Sequence, residues 1–352
     1  MLYSLVMLRD IFWKPYSHLI IIGDNVNWAI DEEARQLKVI TEMMGVPAHI
    51  RKNMILNVPQ MVHYTSQFSL NNEVIYKSKN RISVDYFHGK PEQGDSFKKC
   101  FESLKKHRED IAGVRVSTKE MESVIKNSGI NPTKVKLIPI GIDTEIFKPK
   151  TKAKQHLMRE KLNIPEDAVV IGSFQKDGVG WGEGLEPKLI KGPDVFLKVI
   201  EKLKSEVPNI HILLSGPARG FVKTGLTKLG VPFTHKYYSN YKKVADLYDA
   251  LDLYIITSRE EGGPKACLES MAKGIPLVTT EVGQCKDLVV NKKNGLMVPI
   301  DDISSLFKSS IKILRDENLR TTLINNGYIT AKENSYNEQI SLWKELFSSL
   351  DK

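Results

Sequence analysis

The feature that most constrains this chain of 352 residues is a repeated alternation of short apolar segments with amphipathic ones. Short apolar runs suit strands that are buried on both faces of a parallel sheet, and the amphipathic segments have the period of helices. Residue 117 or 118, a serine or a threonine, is the expected N-cap of one helix. In the first part of the chain, strands are predicted at 18–23, 61–65, 82–87, 114–117 and 135–138, and helices at 29–44 and 119–127.

The same alternation begins again further along the chain. Strands are predicted at 168–172, 210–214, 252–256 and 275–279, and helices at 193–203, 242–250 and 264–273. Strand–helix alternation predicts a parallel sheet with crossover helices. Two such blocks, with a length prior of roughly 100–200 residues per domain, predict an α/β chain of two doubly wound domains. The basic, aperiodic segment 149–154 is the expected linker.

The cysteine content and the first residues of the chain indicate in which cellular compartment the protein is expected. Cys100, Cys267 and Cys285 are few and far apart, which argues against a disulfide framework or a cysteine metal site and fits a reducing cytosol. The apolar start meets charged residues at 9 and 10 and lacks a basic leader, so a signal peptide is not expected. No segment approaches the ~20 apolar residues of a membrane span. The expected location is cytoplasmic.

The net charge of +9 is compatible with nucleic acid, an anionic membrane surface, a phosphorylated substrate or simply a solvated surface. The basic residues are dispersed and form no recognition motif, so nucleic acid is not an expected partner. Segment 97–108 combines five Lys and Arg residues with apolar residues at helical spacing. It would suit peripheral contact with the inner face of the cell membrane. A solvated helix with one face in the core is the preferred interpretation.

The segment 258–276, SREEGGPKACLESMAKGIP, follows a predicted strand, and ligands of α/β sheets bind beyond the carboxyl ends of strands. Gly262 and Gly263 allow a ligand to approach the backbone closely. Pro264 suits the first position of a helix, whose N-terminal amides form an anion site suited to a diphosphate.

Two glutamates flank this helix start. Glu261 precedes the helix, and Glu269 lies more than one turn inside it. A carboxylate in that position can accept both hydrogen bonds of a vicinal diol such as ribose. From the residues alone, an ordinary helix start with solvated or capping glutamates is about equally favoured.

The acidic residue, glycine-rich bend, second glutamate and Met-Ala-x-Gly-x-Pro of this segment resemble the signature of glycosyltransferase family 4. Further pieces agree in order and spacing and extend the resemblance over most of the chain. They are Val116-Ser117, KLIPIGID at 136–143, FKP at 147–149, IGSF at 171–174, Lys191-Gly192, TTEVG at 279–283, Asn294-Gly295 and Asp301.

The resemblance implies the GT-B architecture, in which two Rossmann-like domains face each other across a cleft. Residues 1–149 would form the acceptor-side domain and residues 150–334 the nucleotide-sugar-binding domain. Residues 335–352 would form a helix that packs back on the first domain, with its apolar side chains on one face.

The same resemblance implies a retaining hexosyltransferase that moves a sugar from a nucleotide-sugar donor to a hydroxyl of a sugar, glycolipid or glycan acceptor. Cell-surface polysaccharide or glycolipid synthesis is the expected role. No carboxylate is an obvious nucleophile, so front-face substitution fits better than a double displacement. A GT-B sugar-nucleotide epimerase and a non-catalytic sugar-nucleotide-binding protein are the alternatives.

Roles for individual residues follow from the resemblance. The predicted catalytic residues are Glu261 and His88 near the transferred sugar and Lys191 on the diphosphate. Glu269 would bind the ribose, the backbone of Gly262, Gly263 and Pro264 would face the sugar and diphosphate, and Lys265 would belong to the same donor site. The nucleobase is expected near Gly216 and residues 235–238. His63 matches a further family histidine of less certain role.

The chain also departs from the family pattern. Ser173 stands where the family usually has an arginine, and Lys176 is predicted to replace the missing charge. The glycine-rich insertion 175–190, which contains Trp181, is predicted to be a mobile loop over the donor. The loop 23–28 lacks the family's double glycine. No DxD or HExxH pattern occurs, so no metal and no cofactor are expected, only the nucleotide-sugar as co-substrate.

Overall fold

The structure is a computed structural model that describes residues 18–23, 29–53, 59–77 and 79–348. The prediction for the loop 23–28 falls on residues 24–28, which lie outside this description. Contacts divide the chain into two compact units. The first contains the described residues up to Pro139 and from Gln339 onward, and the second runs from Ile140 to Glu338.

The first unit contains a six-stranded parallel sheet of order β2-β1-β3-β4-β5-β6. Sequential strands separated by helices give this order, as the alternation predicts. Its strands and helices are β1 (Leu19–Ile22), α1 (Ala29–Met43), β2 (Ala48–Arg51), β3 (Met61–Tyr64), β4 (Arg81–Tyr86), α2 (Asp95–Lys106), β5 (Ile111–Val116), α3 (Lys119–Lys126) and β6 (Val135–Leu137).

Two helices of this unit test predictions from the sequence. The Oγ1 of Thr118 accepts a hydrogen bond of 3.1 Å from the amide of Met121, so Thr118 is the N-cap of α3. Helix α2 buries Cys100 and Leu104 in the core, and Lys106 on its outer side pairs with Glu73 at 2.7 Å. The basic segment therefore has one core face and one charged face, which agrees with the solvated-helix interpretation.

The second unit contains another six-stranded parallel sheet. Its elements are α4 (Lys152–Lys161), β7 (Val169–Phe174), α5 (Pro193–Glu206), β8 (Ile210–Ser215), α6 (Gly220–Leu229), β9 (Phe233–His235), α7 (Tyr241–Leu247), β10 (Leu253–Ile256), α8 (Lys265–Lys273), β11 (Leu277–Thr280), α9 (Cys285–Leu288), β12 (Leu296–Val298), α10 (Ile303–Arg315) and α11 (Glu317–Glu333). The strand order is β12-β11-β10-β7-β8-β9, so the direction of winding reverses between β7 and β10.

Alternate residues of these strands enter two separate hydrophobic cores. Val170 packs in the core that contains Leu268 of α8, while the next residue, Ile171, packs in the core that contains Phe196 of α5. Because successive side chains of a strand point to opposite faces, helices cover both faces of the sheet. Truncating one such buried leucine costs about 2–5 kcal/mol, so the strand ends are held firmly where their loops begin.

The boundary between the units lies earlier than the predicted linker. After Pro139 the backbone already bonds within the second unit, since the Ile142 amide donates to the Asn334 carbonyl at 3.1 Å. The segment 149–154 is not an aperiodic linker either, because α4 begins there with Thr151 as its N-cap. Its Arg159 is buried and pairs with Asp252 at 2.7 Å, an anchor that apolar periodicity does not reveal.

The C-terminal helix α12 (Tyr336–Ser348) falls within the predicted range 335–352, and from Gln339 onward it belongs with the first unit. Trp343 is buried there with the guanidinium of Arg115 4.7 Å from its ring centre, and Leu346 is buried beside it. Lys136 of β6 pairs with Glu345 of the helix. Among the described residues, the helices all fall short of the length and apolarity needed to cross a membrane.

Candidate functional site

The switch point between β7 and β10 is where an open α/β sheet of this kind binds its ligand. The loop after β7 carries Lys191, and the loop after β10 carries Glu261. The structure brings these two predicted residues together, with Lys191 Nζ 2.5 Å from Glu261 Oε2. The Oγ of Ser258 donates to the other carboxylate oxygen, Oε1, at 2.9 Å. A cation and an oriented carboxylate therefore meet at the predicted place.

Gly192 lets the two loops approach each other closely. Its φ of +62° lies in the left-handed region, and a Cβ on it would lie 1.9 Å from the carbonyl oxygen of Thr257. The Thr257 hydroxyl in turn donates to the Gly192 carbonyl at 2.9 Å. Only glycine fits this crossing, which places Lys191 directly before the start of α5.

Arg259 is a structural link that the sequence reasoning missed. Its guanidinium pairs with both oxygens of Asp194 at 2.8 and 2.9 Å and with Asp301 at 2.8 Å. The hydrogen bond from Arg259 lowers the pKa of Asp194, so this carboxylate remains ionised. The Arg259 amide also donates to the Ile190 carbonyl at 2.8 Å, next to Lys191. Arg259 thereby ties the lysine loop to the glutamate loop.

Helix α8 begins one residue later than predicted, at Lys265. Pro264 has a ψ of 109° and is the N-cap, because this extended backbone is incompatible with the first helical turn. The Gly262 carbonyl accepts the Gln284 amide at 3.1 Å, and a Cβ on Gly263 would lie 2.8 Å from Gln284 Oε1. The bend therefore fits tightly against Gln284. The first-turn amides of α8 provide a positive end for an anion.

Glu269 lies inside α8 and is only 4% exposed. The phenol of Tyr241 donates to its Oε1, and the phenol of Tyr248 donates to its Oε2 at 2.6 Å. Burial, and then the negative charge of Glu269, raise the pKa of Tyr248, so this phenol stays protonated and remains a donor. Lys265 has its ammonium 5.3 Å from the centre of the Tyr241 ring. The sequence reasoning identified Glu269 and missed both tyrosines.

Two further lysines lie in the insertion that precedes Lys191. Lys176 is half-buried, with Nζ donating to the Gly178 carbonyl at 3.1 Å and lying 4.9 Å from the ring centre of Trp181. Desolvation, and then repulsion from Lys191, lower the pKa of Lys176. Desolvation and the charges of Lys191 and Lys176 likewise lower the pKa of Lys188. The three ammonium groups thus form a positive field that suits an anionic ligand.

A guanidinium does stand beside Ser173, although it comes from elsewhere in the chain. Arg219, at the start of α6, donates to the Ser173 carbonyl at 2.5 Å and to its Oγ at 3.1 Å. Arg219 is 1% exposed and its Nε lies 2.9 Å from Asp177 Oδ1. Desolvation raises the pKa of Asp177, and Arg219 opposes that rise. This buried pair fixes the fold locally, and the exposed positive charge comes from the lysines.

The insertion 175–190 forms a hairpin that backbone hydrogen bonds close, and its mobility over the donor stays a prediction. Its backbone pairs across Gly178 and Pro187, and Lys188 donates from its amide to the Asp177 carbonyl at 2.8 Å. The Gly220 amide, in the first turn of α6, donates to the Glu183 carbonyl at 2.7 Å. Breaking a buried ion pair costs about 3–5 kcal/mol, so Asp177 and Arg219 anchor the hairpin.

The predicted nucleobase region lies at the ends of β8 and β9. His235 Nε2 lies 2.8 Å from the carbonyl oxygen of Gly216, which can only accept, so Nε2 carries the proton. Burial lowers the pKa of His235, which favours the neutral ring with Nδ1 as an acceptor. Among the predicted aromatics, Tyr237 is exposed and Tyr238 has the ammonium of Lys236 5.7 Å from its ring centre.

The predicted histidines belong to the first unit and are described with it. His88 follows β4, its ring meets Phe97 edge-on at 5.4 Å, and Gln67 donates to its carbonyl. His63 is fully buried, with Nδ1 2.9 Å from Ser83 Oγ and Nε2 3.2 Å from Asp85 Oδ1. His63 is therefore a core residue, whereas His88 is half-buried after its strand.

Comparison with known proteins gives the family context. Residues 185–330 match the family model "Glycosyl transferases group 1". The lipopolysaccharide core biosynthesis mannosyltransferase LpsB of Rhizobium meliloti is 26% identical over 63% of this chain and 63% of its own length. A D-inositol 3-phosphate glycosyltransferase of Xylanimonas cellulosilytica is 24% identical over 68% of this chain and 57% of its own. The chain thus spans about three-fifths of the length of these curated relatives.

Solved structures extend the likeness over nearly the whole chain. Anabaena HepE, determined in complex with UDP and glucose, has a TM-score of 0.75 at 16% identity, covering 95% of this chain and all of HepE. A glycosyltransferase from Rickettsia africae has a TM-score of 0.70 at 17% identity, covering 97% of this chain and all of that protein. The chain therefore has the GT-B fold of these glycosyltransferases, and its residues 185–330 match glycosyl transferases group 1.

Proposed function

We propose that this chain is a retaining glycosyltransferase that moves a hexosyl group from a nucleoside-diphosphate sugar to a hydroxyl acceptor. The observation that carries the proposal is the Lys191–Glu261 pair at the switch point of the second sheet, beside the N-terminus of α8. The group 1 match and the transferase relatives support transfer in preference to epimerisation or binding without turnover. The lipopolysaccharide relative supports a role in cell-surface polysaccharide or glycolipid synthesis.

The geometry suits a diphosphate bound between Lys191 and the α8 amides. The side chains of Lys191 and Glu261 are only 21% and 13% exposed, so Lys191 needs a charged partner, and a bound diphosphate would replace Glu261 in that role. Glu261, still held by Ser258, would then accept hydrogen bonds from hydroxyls of the transferred sugar. Glu269 would bind the ribose, and Gly216 would lie near the base.

In the proposed reaction the acceptor oxygen forms a bond to the anomeric carbon on the face from which the diphosphate leaves. The bond between that carbon and the diphosphate oxygen breaks, and the acceptor proton passes to a phosphate oxygen. Lys191 and the helix amides stabilise the negative charge that develops on the leaving group. The products are a glycoside of retained configuration and a nucleoside diphosphate.

The experiment that tests this function combines a nucleotide-sugar panel with a hydroxyl-acceptor panel and reads the product by NMR. We expect nucleoside diphosphate release together with a glycoside that has the anomeric configuration of the donor. An inverted product would overturn the retaining mechanism. Isomerised donor formed without acceptor would overturn transfer in favour of epimerisation.

Lys176→Ala is expected to weaken nucleoside diphosphate binding by about tenfold, because one charge-assisted contact to phosphate is lost. Isothermal titration calorimetry measures the change. Lys198→Ala, an exposed lysine on α5, is the matched control and should bind as wild type does. Unchanged affinity in Lys176→Ala would show that Lys176 does not replace the missing arginine.

Binding is also expected to weaken as the pH rises through the alkaline range. The pKa values of Lys176 and Lys188 are lowered, and only the protonated lysines attract an anion. A bound diphosphate raises these pKa values again, so binding takes up protons at pH values near them. Titration calorimetry in two buffers of different ionisation enthalpy measures this uptake. Binding without proton uptake anywhere in the alkaline range would contradict it.

We further propose that transfer needs no divalent cation, because lysines supply the positive charge at the diphosphate. Among the described residues, His, Cys, Asp and Glu form no group of three or more that is placed to hold a metal ion. Turnover is expected to survive exhaustive treatment with EDTA. Loss of turnover with EDTA and its recovery with Mg²⁺ or Mn²⁺ would contradict the proposal.

A further inference from the structure

We propose that Tyr241 is a donor-site residue whose phenol competes with the nucleotide ribose for the carboxylate of Glu269. The inference rests on the proposed function and adds a residue that tunes donor affinity. Glu269, the carboxylate assigned to the ribose diol, already accepts a hydrogen bond from a phenol on each of its two oxygens.

The burial of Glu269 means that a ligand cannot reach it without a local rearrangement. The side chain is 4% exposed, so ribose hydroxyls cannot simply add to the existing contacts. One of the two phenols must give way for the diol to approach. The surroundings of the two tyrosines decide which of them does so.

Tyr248 is locked in the core. Tyr248 is fully buried. Its ring centre lies 5.5 Å from that of Tyr254, with the rings stacked, and 4.8 Å from that of Phe174, with the rings T-shaped. Moving this ring would open a cavity in the close-packed interior. Removing a buried aromatic side chain costs about 3–5 kcal/mol, and displacing the Tyr248 ring would be costly for the same reason.

Tyr241 is placed where movement is cheap. It is half-buried and is the first residue of α7, directly after Asn240, the N-cap. One side of its ring meets Phe147 at 5.4 Å, and the ammonium of Lys265 lies 5.3 Å from its ring centre. A side chain at a helix start can change rotamer without disturbing the turns that follow it. Tyr241 is therefore the phenol that yields to the ribose.

Removing the Tyr241 hydroxyl is expected to strengthen nucleotide binding. A buried carboxylate needs hydrogen-bond donors, and bonds to charged acceptors are the strong ones. In wild type the ribose must first displace the hydrogen bond from Tyr241, so the gain from the ribose contacts is reduced by the value of that bond. Without the Tyr241 hydroxyl, Glu269 lacks that donor until ribose supplies it. Tyr241→Phe should therefore bind the nucleotide more tightly, by about tenfold, or about 1.4 kcal/mol.

The test is a titration of UDP, GDP, ADP and CDP into wild type by calorimetry, followed by the tightest of them into Tyr241→Phe and Tyr248→Phe. We expect Tyr241→Phe to bind about tenfold more tightly than wild type. The gain should disappear with the 2′,3′-dideoxy form of the same nucleotide, because that ligand has no diol to offer Glu269. Tyr248→Phe should lower the melting temperature without improving affinity.

The outcomes distinguish failure of the Tyr241 competition from failure of the proposed function. If none of the four nucleotides binds wild type, the proposed function fails and the inference falls with it. If wild type binds and Tyr241→Phe binds equally or more weakly, the phenol supports the site and the competition is refuted. Equal tightening with the dideoxy nucleotide, or tightening in Tyr248→Phe, would also overturn the assignment to Tyr241. A melting temperature of Tyr241→Phe near that of wild type shows that the comparison concerns folded protein.

Discussion

Lys191→Gln is expected to lower kcat/KM for sugar transfer by about 10²–10³-fold, the cost of removing one preorganised stabiliser of developing negative charge. Lys191 Nζ lies 2.5 Å from Glu261 and directly before the start of α5, at the switch point of the sheet. Glutamine keeps much of the length and the hydrogen-bonding capacity of the side chain and removes its charge. The reduction should appear mainly in kcat, because the charge on the leaving group grows as the bond breaks.

Lys198→Gln is the control for this substitution, since it removes the same charge from an exposed position on α5. It should leave kcat/KM within a factor of two or so of wild type, as a surface change generally does. Full activity in Lys191→Gln would show that the reaction does not need the positive charge of Lys191. An effect confined to KM would place Lys191 in ground-state binding, without a special role in bond breaking.

Glu269→Gln is expected to weaken nucleotide binding by about 10–100-fold, because a hydrogen bond to a charged group contributes about 1.5–3 kcal/mol. The amide retains one acceptor oxygen, and its NH₂ group can only donate where the second carboxylate oxygen accepted. Tyr248 donates to Oε2 at 2.6 Å, so one phenol and one ribose hydroxyl would then compete for fewer acceptor sites. Calorimetric titration of nucleoside diphosphate measures the loss.

Glu201→Gln, at an exposed carboxylate on α5 of the same unit, is the matched control and should bind as wild type does. The melting temperature of Glu269→Gln should fall, because the buried phenols lose a charged partner. Nucleotide binding at wild-type strength in a folded Glu269→Gln protein would contradict the assignment of Glu269 to the ribose.

Nine of the twelve described strands and the division into two sheets could be predicted because they depend on local pattern, whereas the edge strands β2, β9 and β12 lie outside the predicted ranges. Buried parallel strands appear as apolar runs, and the loops at their carboxyl ends are where ligands bind. The pairing of Lys191 with Glu261 follows from this rule, since the two loops leave adjacent strands, β7 and β10. Glycine and proline punctuation also located the start of α8 to within one residue.

The partners of these residues could not be predicted, because they come from distant parts of the chain. Tyr241 and Tyr248 reach Glu269 across 28 and 21 residues, and Arg219 reaches Ser173 across 46. No period or spacing links such positions in a single sequence. The same limit explains the misplaced boundary, since the Ile142 amide bonds to the carbonyl of Asn334, a partner far along the chain.

The most direct test of the central claim is titration of nucleoside diphosphates into wild type, Glu269→Gln and Lys191→Gln at one salt concentration. We predict saturable 1:1 binding of at least one nucleoside diphosphate to wild type, with weaker binding in both variants. Binding that both substitutions leave unchanged, or no binding to folded wild type, would contradict the claim that the switch point of the second sheet holds the donor.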